Sequence, residues 1–169
     1  MPLRRYSAYR GRRARLDEAL LEKFVMSPIG YQYTLRLAPR IDRMIIPHTH
    51  GRFSSLGHNR VGMLTTIGAK SGIQRTNPVV LIDVGDGLLA VGSNYGRPTH
   101  PSWSANLMVN PDCEVEYLRP RAPFRARLIT GEERQRVWDL VVDYSIAYER
   151  HAAHCAPRQI RVFRMTPLN

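Results

Sequence analysis

The feature that most constrains this chain is a series of short apolar segments joined by tight turns, without helices between them. The segment Val61–Ile67 is rich in β-branched residues, and the glycine-bounded turn 68–72 leads into the segment Gln74–Asp83. A Gly-Asp-Gly hairpin signal at 85–87 leads into a third strand over residues 88–93. Strands joined in this way pair antiparallel, because parallel neighbours need a crossover of a dozen or more residues. The order therefore excludes a doubly wound α/β fold.

Three further strands and a short helix follow. Residues 113–118 and 123–129 form another hairpin, and residues 160–165 form the last strand. The short helix runs from Pro101 through Val109, since proline is preorganised for a first helical position. The pattern predicts a mainly β protein with α-helices: a split β-barrel of six mostly antiparallel strands, covered by helices.

The longest helix is predicted from Glu132 to about His151. Thr130 and Glu133 have the spacing of a capping box, in which each side chain accepts a hydrogen bond from the other residue's backbone N–H. An apolar and aromatic stripe at helical spacing follows, comprising Val137, Leu140, Val141, Tyr144 and Tyr148.

The residues before the barrel are predicted to form a helical extension. Residues 17–26 have the spacing of a short helix, and residues 31–46 that of a second helix, broken by Pro39 and ended by Pro47. Residues 48–60 show little periodicity and are predicted to be loop. The predicted organisation is a basic arm (1–15), a helical extension with its loop (16–60) and a barrel domain (61–169).

The chain is strongly basic. Twenty-five Lys and Arg against fourteen Asp and Glu give a net charge of +11, and six arginines lie in the first fifteen residues. This excess favours an anionic partner: nucleic acid, an acidic membrane surface or a polyanionic small molecule. The arm and the amphipathic residues 16–46 suit peripheral attachment to the inner face of the cell membrane, and the alternative is a solvated tail with a helix packed on the barrel. No apolar run reaches the roughly 20 residues of a membrane span, so a cytoplasmic location is expected.

Metal and acid–base sites are not predicted. Two cysteines are too few for a disulfide scaffold, and neither has metal-ligand spacing. His48, His50 and His58 have no acid or cysteine at such spacing, while His151 and His154 end the long helix, where a cation suits the helix dipole. No G-x-S-x-G nucleophile motif occurs, and the acids occupy caps, turns and helix faces.

Two loops carry groups that bind anions. In turn 68–72, Lys70 and the nearby Arg75 place two cations beside glycines that let backbone N–H groups approach a phosphate or carboxylate. The alternative is a hairpin with a basic tip. Residues 92–98 form the second loop and add amide and hydroxyl donors. Trp103 follows, and its indole either packs in the core or stacks on a planar ring that carries a phosphorylated tail.

These motifs, in this order and spacing, resemble those of the deazaflavin-dependent nitroreductase family of actinobacteria. The resemblance covers about residues 61–167. The five motifs are LTTIGAKSG (64–72), RTNP (75–78), GSNYGRP (92–98), HPSWSANL (100–107) and TGEER (130–134). The family fold implied is the split β-barrel, and the cofactor implied is coenzyme F420, an 8-hydroxy-5-deazaflavin with a phosphate and a polyglutamate tail. Members often carry a cation at the position of Ala69 and a lysine at that of Asn94, which implies weaker binding of the tail here.

The resemblance also implies roles for individual residues. Lys70 and Arg75 would face the phosphate or tail, and Trp103 would help to close the ring pocket. Tyr148, Ser93 and Ser145 are the implied contacts to the substrate or to the transferred proton. The implied cofactor-binding set is Ala69, Lys70, Ser71, Arg75, Thr76, Asn77, Pro78, Val79, Val80, Val91, Gly92, Ser93, Asn94, Ser102, Trp103, Ser104, Asn106 and Tyr148.

The expected function is hydride transfer from reduced F420 to a planar, electron-poor small molecule such as a quinone, an enone or a nitro compound. The cofactor would carry the chemistry, which accounts for the lack of a catalytic dyad. The alternatives are a barrel that uses flavin mononucleotide (FMN) or binds haem, and a non-catalytic carrier of cofactor or lipid. Binding of nucleic acid by the arginine arm is a further alternative, which predicts strong salt dependence.

Overall fold

Six antiparallel strands close on themselves to form a barrel. The computed structural model describes residues 20, 23–24, 27–49, 55, 61–118 and 120–168. The strands pair in the order β1-β2-β3-β6-β5-β4, and β4 closes the barrel against β1. Their bounds are β1 Val61–Ile67, β2 Gln74–Asp83, β3 Leu88–Gly92, β4 Asp112–Glu116, β5 Ala122–Leu128 and β6 Arg161–Pro167. The predicted six-stranded barrel is confirmed.

Five α-helices with described bounds accompany this barrel, besides a short 3-10 turn at Asn94–Gly96. The first two precede β1, the third connects β3 to β4, and the last two connect β5 to β6. None of the helices in the described ranges is long and apolar enough to cross a membrane. The helices are α1 Pro28–Arg36, α2 Ala38–Thr49, α3 Ser102–Val109, α4 Gly131–Tyr144 and α5 Ala147–Cys155.

Alternation along β3 divides its side chains between two of the three apolar clusters of the core. Leu88 and Ala90 of β3 point into the barrel, where they join Trp103 and Phe163. Leu89 and Val91 point outward into a second cluster, which α4 and α5 cover. Successive strand residues face opposite sides of a sheet, so one short strand supplies both clusters. This second cluster places α5 over the outer face of β3.

The bounds of β1 and β2 agree with the sequence prediction, and the remaining strand ends differ by one or two residues. A glycine is required in β1 at one point. A Cβ at Gly62 would lie 2.9 Å from the Glu116 carbonyl oxygen and 2.6 Å from the Leu81 Cδ1 atom. The close approach of β4 to β1 therefore depends on the absence of a side chain at Gly62.

The single long helix predicted after β5 is wrong, because the chain leaves the helical conformation at Ser145. Its backbone is extended (φ −157°, ψ 124°) and separates α4 from α5. The Ser145 hydroxyl accepts a hydrogen bond from the Ala147 N–H at 3.4 Å, a local alternative to the helical pattern that serine commonly forms. Val141 and Tyr148 nevertheless both enter the second cluster, so the predicted stripe is shared by two helices.

The predicted capping box is also wrong. The Thr130 side chain makes no capping hydrogen bond, and α4 begins at Gly131. The Glu133 carboxylate instead accepts two hydrogen bonds from Arg127, at 2.7 and 2.8 Å. A bidentate, charge-assisted pair is stronger than a bond to one backbone N–H, so the carboxylate turns toward β5.

The proline predictions are partly correct. Pro39 marks the break between α1 and α2, where Leu37 separates the two helices. Pro47 does not end α2, which continues to Thr49, and Pro101 precedes α3 by one residue. Most of the predicted helix 17–26 and most of the predicted loop 48–60 lie outside the described residues.

Candidate functional site

The turn between β1 and β2 is fixed by α3. The Ala69 N–H donates to the Asn106 side-chain oxygen at 3.0 Å, and the Asn106 amide nitrogen donates to the Thr66 hydroxyl at 3.0 Å. The Gly72 backbone has a φ of +66°, which favours glycine, and closes the turn through its N–H to the Gly68 carbonyl. The buried Asn106 side chain therefore holds the turn that bears Lys70.

Lys70 and Arg75 are exposed cations beside this turn. Among the residues the structure describes, neither has an ion pair or a side-chain hydrogen bond. Other arginines on the barrel surface differ: Arg125 pairs with Asp112 at 2.7 Å, and Arg127 pairs with Glu133. The charges of Lys70 and Arg75 are therefore available to an anionic ligand.

The loop after β3 has an unusual backbone. Asn94, Tyr95 and Gly96 have consecutive positive φ angles of 50°, 54° and 75°. The Asn94 side-chain nitrogen donates to the Thr99 carbonyl at 2.9 Å, and the Gly96 N–H donates to the Ser93 carbonyl at 3.1 Å. Non-glycine residues in the left-handed region cost of order 1 kcal/mol each and concentrate at functional sites.

Arg158, between α5 and β6, clamps this loop. Its guanidinium donates to the carbonyl oxygens of Ser93 at 2.7 Å, Arg97 at 3.0 Å and Gly92 at 3.3 Å. It also lies 3.3 Å from the His100 Nδ1 atom. Because one side chain bonds three carbonyl groups, Arg158 determines the path of the loop from residue 92 to residue 97.

Helix α5 packs against the opposite side of the same loop. A Cβ at Gly96 would lie 3.0 Å from the His154 Cβ atom and 3.2 Å from the His151 carbonyl oxygen. The His151 ring meets the rings of Tyr95 and Tyr148 edge to face, with centroids 6.2 and 6.1 Å apart. Tyr95, Tyr148 and His151 thus form an aromatic cluster beside Ser93 and Asn94.

Burial changes the protonation of this aromatic cluster. It lowers the pKa of His151 to about 4, and the positive charge of Arg158 acts in the same direction. The His151 Nδ1 atom is buried without a hydrogen-bond partner among the described residues. Burial also raises the pKa of Tyr95 to about 12 and raises that of Tyr148 further. At neutral pH the cluster therefore holds two protonated tyrosines and an uncharged histidine.

Helix α2 borders the site from the N-terminal side. The Arg43 guanidinium donates to the Asn77 side-chain oxygen at 3.3 Å. Asp42 of the same helix is 2% exposed, accepts a hydrogen bond from the Ser55 N–H at 2.6 Å, and contributes to the raised pKa of Tyr95. The helical extension therefore contributes charged groups to the candidate site.

The predicted site residues fall into a group that is exposed or half-buried and a group that is buried. Lys70, Ser71, Arg75 and Ser102 are exposed, and Asn94, with a half-buried side chain, lies on the loop that packs on α5. The half-buried members on or beside β1 and β2 are Ala69, Thr76, Asn77, Pro78 and Val80, and Ser145 is half-buried at the break between α4 and α5.

The second group is buried: Val79, Val91, Gly92, Ser93, Trp103, Ser104, Asn106 and Tyr148. Trp103 packs inside the barrel with its ring centroid 6.0 Å from that of Phe163. The Thr76 hydroxyl bonds that of Thr65 at 2.8 Å, so it too is engaged within the protein. A stacking role for Trp103 stays a prediction.

Sequence reasoning missed four residues of this region: Arg43, Tyr95, His151 and Arg158. Tyr95 lies inside the motif 92–98, whose interpretation as a ligand-binding loop uses only its small and polar residues. The sequence pattern puts His151 at the end of one long helix, because it carries no signal for the break at Ser145. Arg158 lies outside the five motifs and outside regular secondary structure, and only the fold brings it to loop 92–97.

Comparison with known proteins finds similarity to proteins named F420H(2)-dependent quinone reductases. A family model described as F420H(2)-dependent quinone reductase matches residues 39–167. An F420H(2)-dependent quinone reductase of Mycobacterium tuberculosis H37Rv is 32% identical over 109 residues, which are 60% of this chain and 71% of that protein. A second protein of the same organism, named for the same activity, is 34% identical over 74 residues, which are 44% of this chain and 62% of that protein.

Two solved structures share the fold. The structure of an F420-H2 dependent reductase aligns with a TM-score of 0.56 and 34% identity, over 62% of this chain and 92% of that one. A structure described as a domain-swapped dimer aligns with a TM-score of 0.57 and 29% identity, over 75% of this chain and 97% of that one. The family match begins within α2, so the similarity extends further toward the N-terminus than the motifs 64–134 indicate.

Proposed function

The chain belongs to the F420H(2)-dependent quinone reductase family, and from that membership we propose that it reduces a planar, electron-poor acceptor of the quinone type with reduced coenzyme F420. When bound, the coenzyme supplies the hydride. The task of the protein is then to bind the anionic cofactor, to orient the acceptor against its ring and to exclude water.

The main support for this proposal is the pair of cations Lys70 and Arg75, which lie beside a turn that Asn106 of α3 holds in place through hydrogen bonds. Lys70 and Arg75 have no acidic partner among the described residues, and Asn106 fixes the backbone between them and α3. A phosphate or carboxylate fits such a donor set, because charge-assisted hydrogen bonds to an anion are the stronger kind. The loop 93–97, held by Arg158 and α5, offers a second preorganised surface for the ring.

The acceptor would lie near α5, and Tyr148 is the residue we propose to contact it. Its buried hydroxyl stays protonated at neutral pH, since burial raises its pKa. A protonated hydroxyl can donate a hydrogen bond to the oxygen of a quinone as that oxygen gains negative charge. Ser93, only 9% exposed, and Ser145 are the other hydroxyl groups proposed near this position.

Binding of FMN, or carriage of the cofactor without turnover, is distinguished by titration. We expect the purified chain to bind F420 saturably, followed by its absorbance, and to bind FMN at least ~100-fold more weakly. The reduced cofactor should be oxidised only when a quinone, enone or nitro compound is added. Saturable binding without any oxidation would support the carrier, and preferential binding of FMN would overturn the proposal.

The cation pair is tested by the double variant Lys70→Ala with Arg75→Ala. Each charge-assisted contact contributes of order 1.5–3 kcal/mol, so the affinity for F420 should fall at least ~100-fold while the fold is kept. Arg121→Ala is a matched control, because it removes one exposed arginine paired with Glu114 elsewhere on the barrel surface. Unchanged affinity in the double variant would remove the cofactor phosphate and tail from this turn.

A further inference from the structure

A cationic cleft, distinct from the turn that bears Lys70, lies on the outer surface of the barrel between the start of α4 and the start of β6. Its volume is about 270 Å³. The walls combine apolar residues from the end of β5 with a group of basic side chains and no Asp or Glu. The basic residues of the lining are His100, Arg134, Arg158 and Arg161.

Among the described residues, the three arginines of this cleft have no acidic partner, unlike the paired arginines on the neighbouring strands. Arg164, three residues after the last residue of the cleft, pairs with Asp86, and Arg127 pairs with Glu133. Within the described ranges, Arg161 has neither an ion pair nor a side-chain hydrogen bond. Arg134 donates to the Ile160 carbonyl at 3.0 Å and stacks over the Trp138 ring at 4.9 Å. Neutral partners fix Arg134 and leave its charge uncompensated.

His100 reports the electrostatic potential inside the cleft. Burial lowers its pKa, and the charges of Arg161 and Arg158 lower it further. Thr130, which lines the cleft, precedes the first turn of α4, and its hydroxyl makes no capping hydrogen bond to the backbone N–H groups of that turn. The acids of that turn, Glu132 and Glu133, pair with Arg136 and Arg127 and do not line the cleft.

From this arrangement we propose that the cleft is a binding site for an oxyanion, a phosphate or carboxylate group, separate from the turn that carries Lys70 and Arg75. The planar guanidinium of Arg161 supplies a free fork of donors for such a group. Arg134 and Arg158 are held by their neutral partners at the wall and supply preorganised positive charge. The oxyanion either belongs to the tail of the bound coenzyme, which rests on the proposed function, or is an independent anionic molecule.

The test uses the full chain without cofactor and follows the His100 imidazole by NMR, with its signal assigned through His100→Gln. Inorganic phosphate and glutarate are titrated at constant ionic strength, with sodium chloride as the reference. A bound anion should raise the pKa of His100, because it offsets the two arginine charges. We expect saturable shifts with both probes, and at least ~10-fold weaker binding in Arg161→Gln. This variant removes one charge and no described contact.

Arg121→Gln is the matched control, because it also removes one arginine and lies at the opposite end of β5 from the cleft. Its phosphate affinity should equal that of the parent chain. A His100 shift that does not saturate, or that sodium chloride reproduces, would overturn the proposal, as would equal phosphate affinity in Arg161→Gln. None of these results requires F420, so failure here is distinguishable from failure of the proposed function.

The source of the oxyanion is resolved by competition. Displacement of bound phosphate by intact F420, but not by the coenzyme lacking its glutamates, would assign the cleft to the tail. Simultaneous binding of phosphate and intact F420 would assign it to an independent anion. Both outcomes support an oxyanion site and differ only in what delivers it.

Discussion

Tyr148 belongs to both the apolar core and the candidate functional site. Its ring belongs to the outer cluster with Val91 and Val141, and its edge-to-face contact with His151 places it beside the loop after β3. Tyr148→Phe removes only the hydroxyl and keeps almost the whole volume, so stability and F420 affinity should stay close to the parent values. Turnover of quinones should fall at least ~10-fold if the hydroxyl contacts the acceptor.

Single-turnover oxidation of the reduced cofactor measures this effect separately from product release. Val141→Ala is the comparison variant, because it creates a cavity in the same cluster without removing a polar group. It should lower stability by about 2 kcal/mol and leave turnover by the folded fraction largely unchanged. Equal turnover of Tyr148→Phe and the parent chain on all acceptor classes would restrict Tyr148 to core packing.

His151 makes the stability of the fold depend on pH. Its pKa is about 4 in the folded protein and near 6.5 when exposed, so the unfolded chain takes up a proton first as the pH falls. The stabilisation is complete above about pH 6.5 and is lost progressively between pH 6.5 and 4. The loss should amount to about 2–3 kcal/mol. Urea unfolding at several pH values measures it, and His151→Phe should flatten the slope.

A second titrating group separates this effect from general acid denaturation. The Arg127 guanidinium holds the pKa of Glu133 below its usual 4.5, so the contribution of this ion pair is lost at a lower pH than that of His151. Glu133→Gln should therefore keep the slope between pH 6.5 and 4.5. A slope that is the same in His151→Phe and the parent chain would contradict the assignment.

At the scale of elements, the strand positions could be predicted from the sequence because two signals mark them: the alternation of side chains and the residues of the turns. Alternating side chains fill apolar clusters on both faces of the sheet, and glycine turns end the strands, so the periodicity and the turns indicate the same bounds for β1 and β2. The helices were less predictable. The break at Ser145 is accompanied by one local hydrogen bond, and the pairing of Glu133 with Arg127 depends on how α4 packs beside β5, which helical spacing does not show.

The same contrast holds for the candidate site. Its glycine turns and exposed cations could be recognised because the backbone and charge requirements are local. The clamp formed by Arg158 could not, since it contacts residues about sixty positions earlier and has no periodic signal. Residue roles toward the cofactor stay predictions, whereas the position of the loop follows from these contacts.

The tie between α3 and the β1–β2 turn is the element-level contact that is simplest to break. Asn106→Ala leaves the Ala69 N–H and the buried Thr66 hydroxyl without their partner, which should cost about 1–3 kcal/mol of unfolding free energy. F420 affinity should fall as well, because the turn bearing Lys70 loses its support. Met108→Ala, on the exposed side of the same helix, should change stability by less than ~0.5 kcal/mol. Urea unfolding compares the two, and equal stabilities would contradict the role of Asn106.

At the scale of the whole molecule, charge is the dominant property. The net charge is +11, and removing the six arginines of the first fifteen residues leaves an excess of five positive charges. The positive charges of the barrel domain include Lys70, Arg75 and the arginines of the cleft, which we propose to bind anions. The six arginines of the arm lie outside the described residues, so the contribution of their charge needs a separate test.

We expect the arm to attach the protein to an anionic bilayer, where a lipid-soluble quinone would be accessible. Each arginine near such a surface contributes about 1 kcal/mol, so six of them suffice for measurable peripheral binding. The full chain should co-sediment with vesicles containing phosphatidylglycerol, and deletion of residues 1–15 should reduce the bound fraction at least ~10-fold. Both forms should leave neutral phosphatidylcholine vesicles unbound, and salt should release the full chain because surface electrostatics are screened. Binding of the shortened chain that equals that of the full chain would assign membrane contact to the barrel or its helices instead of the arm.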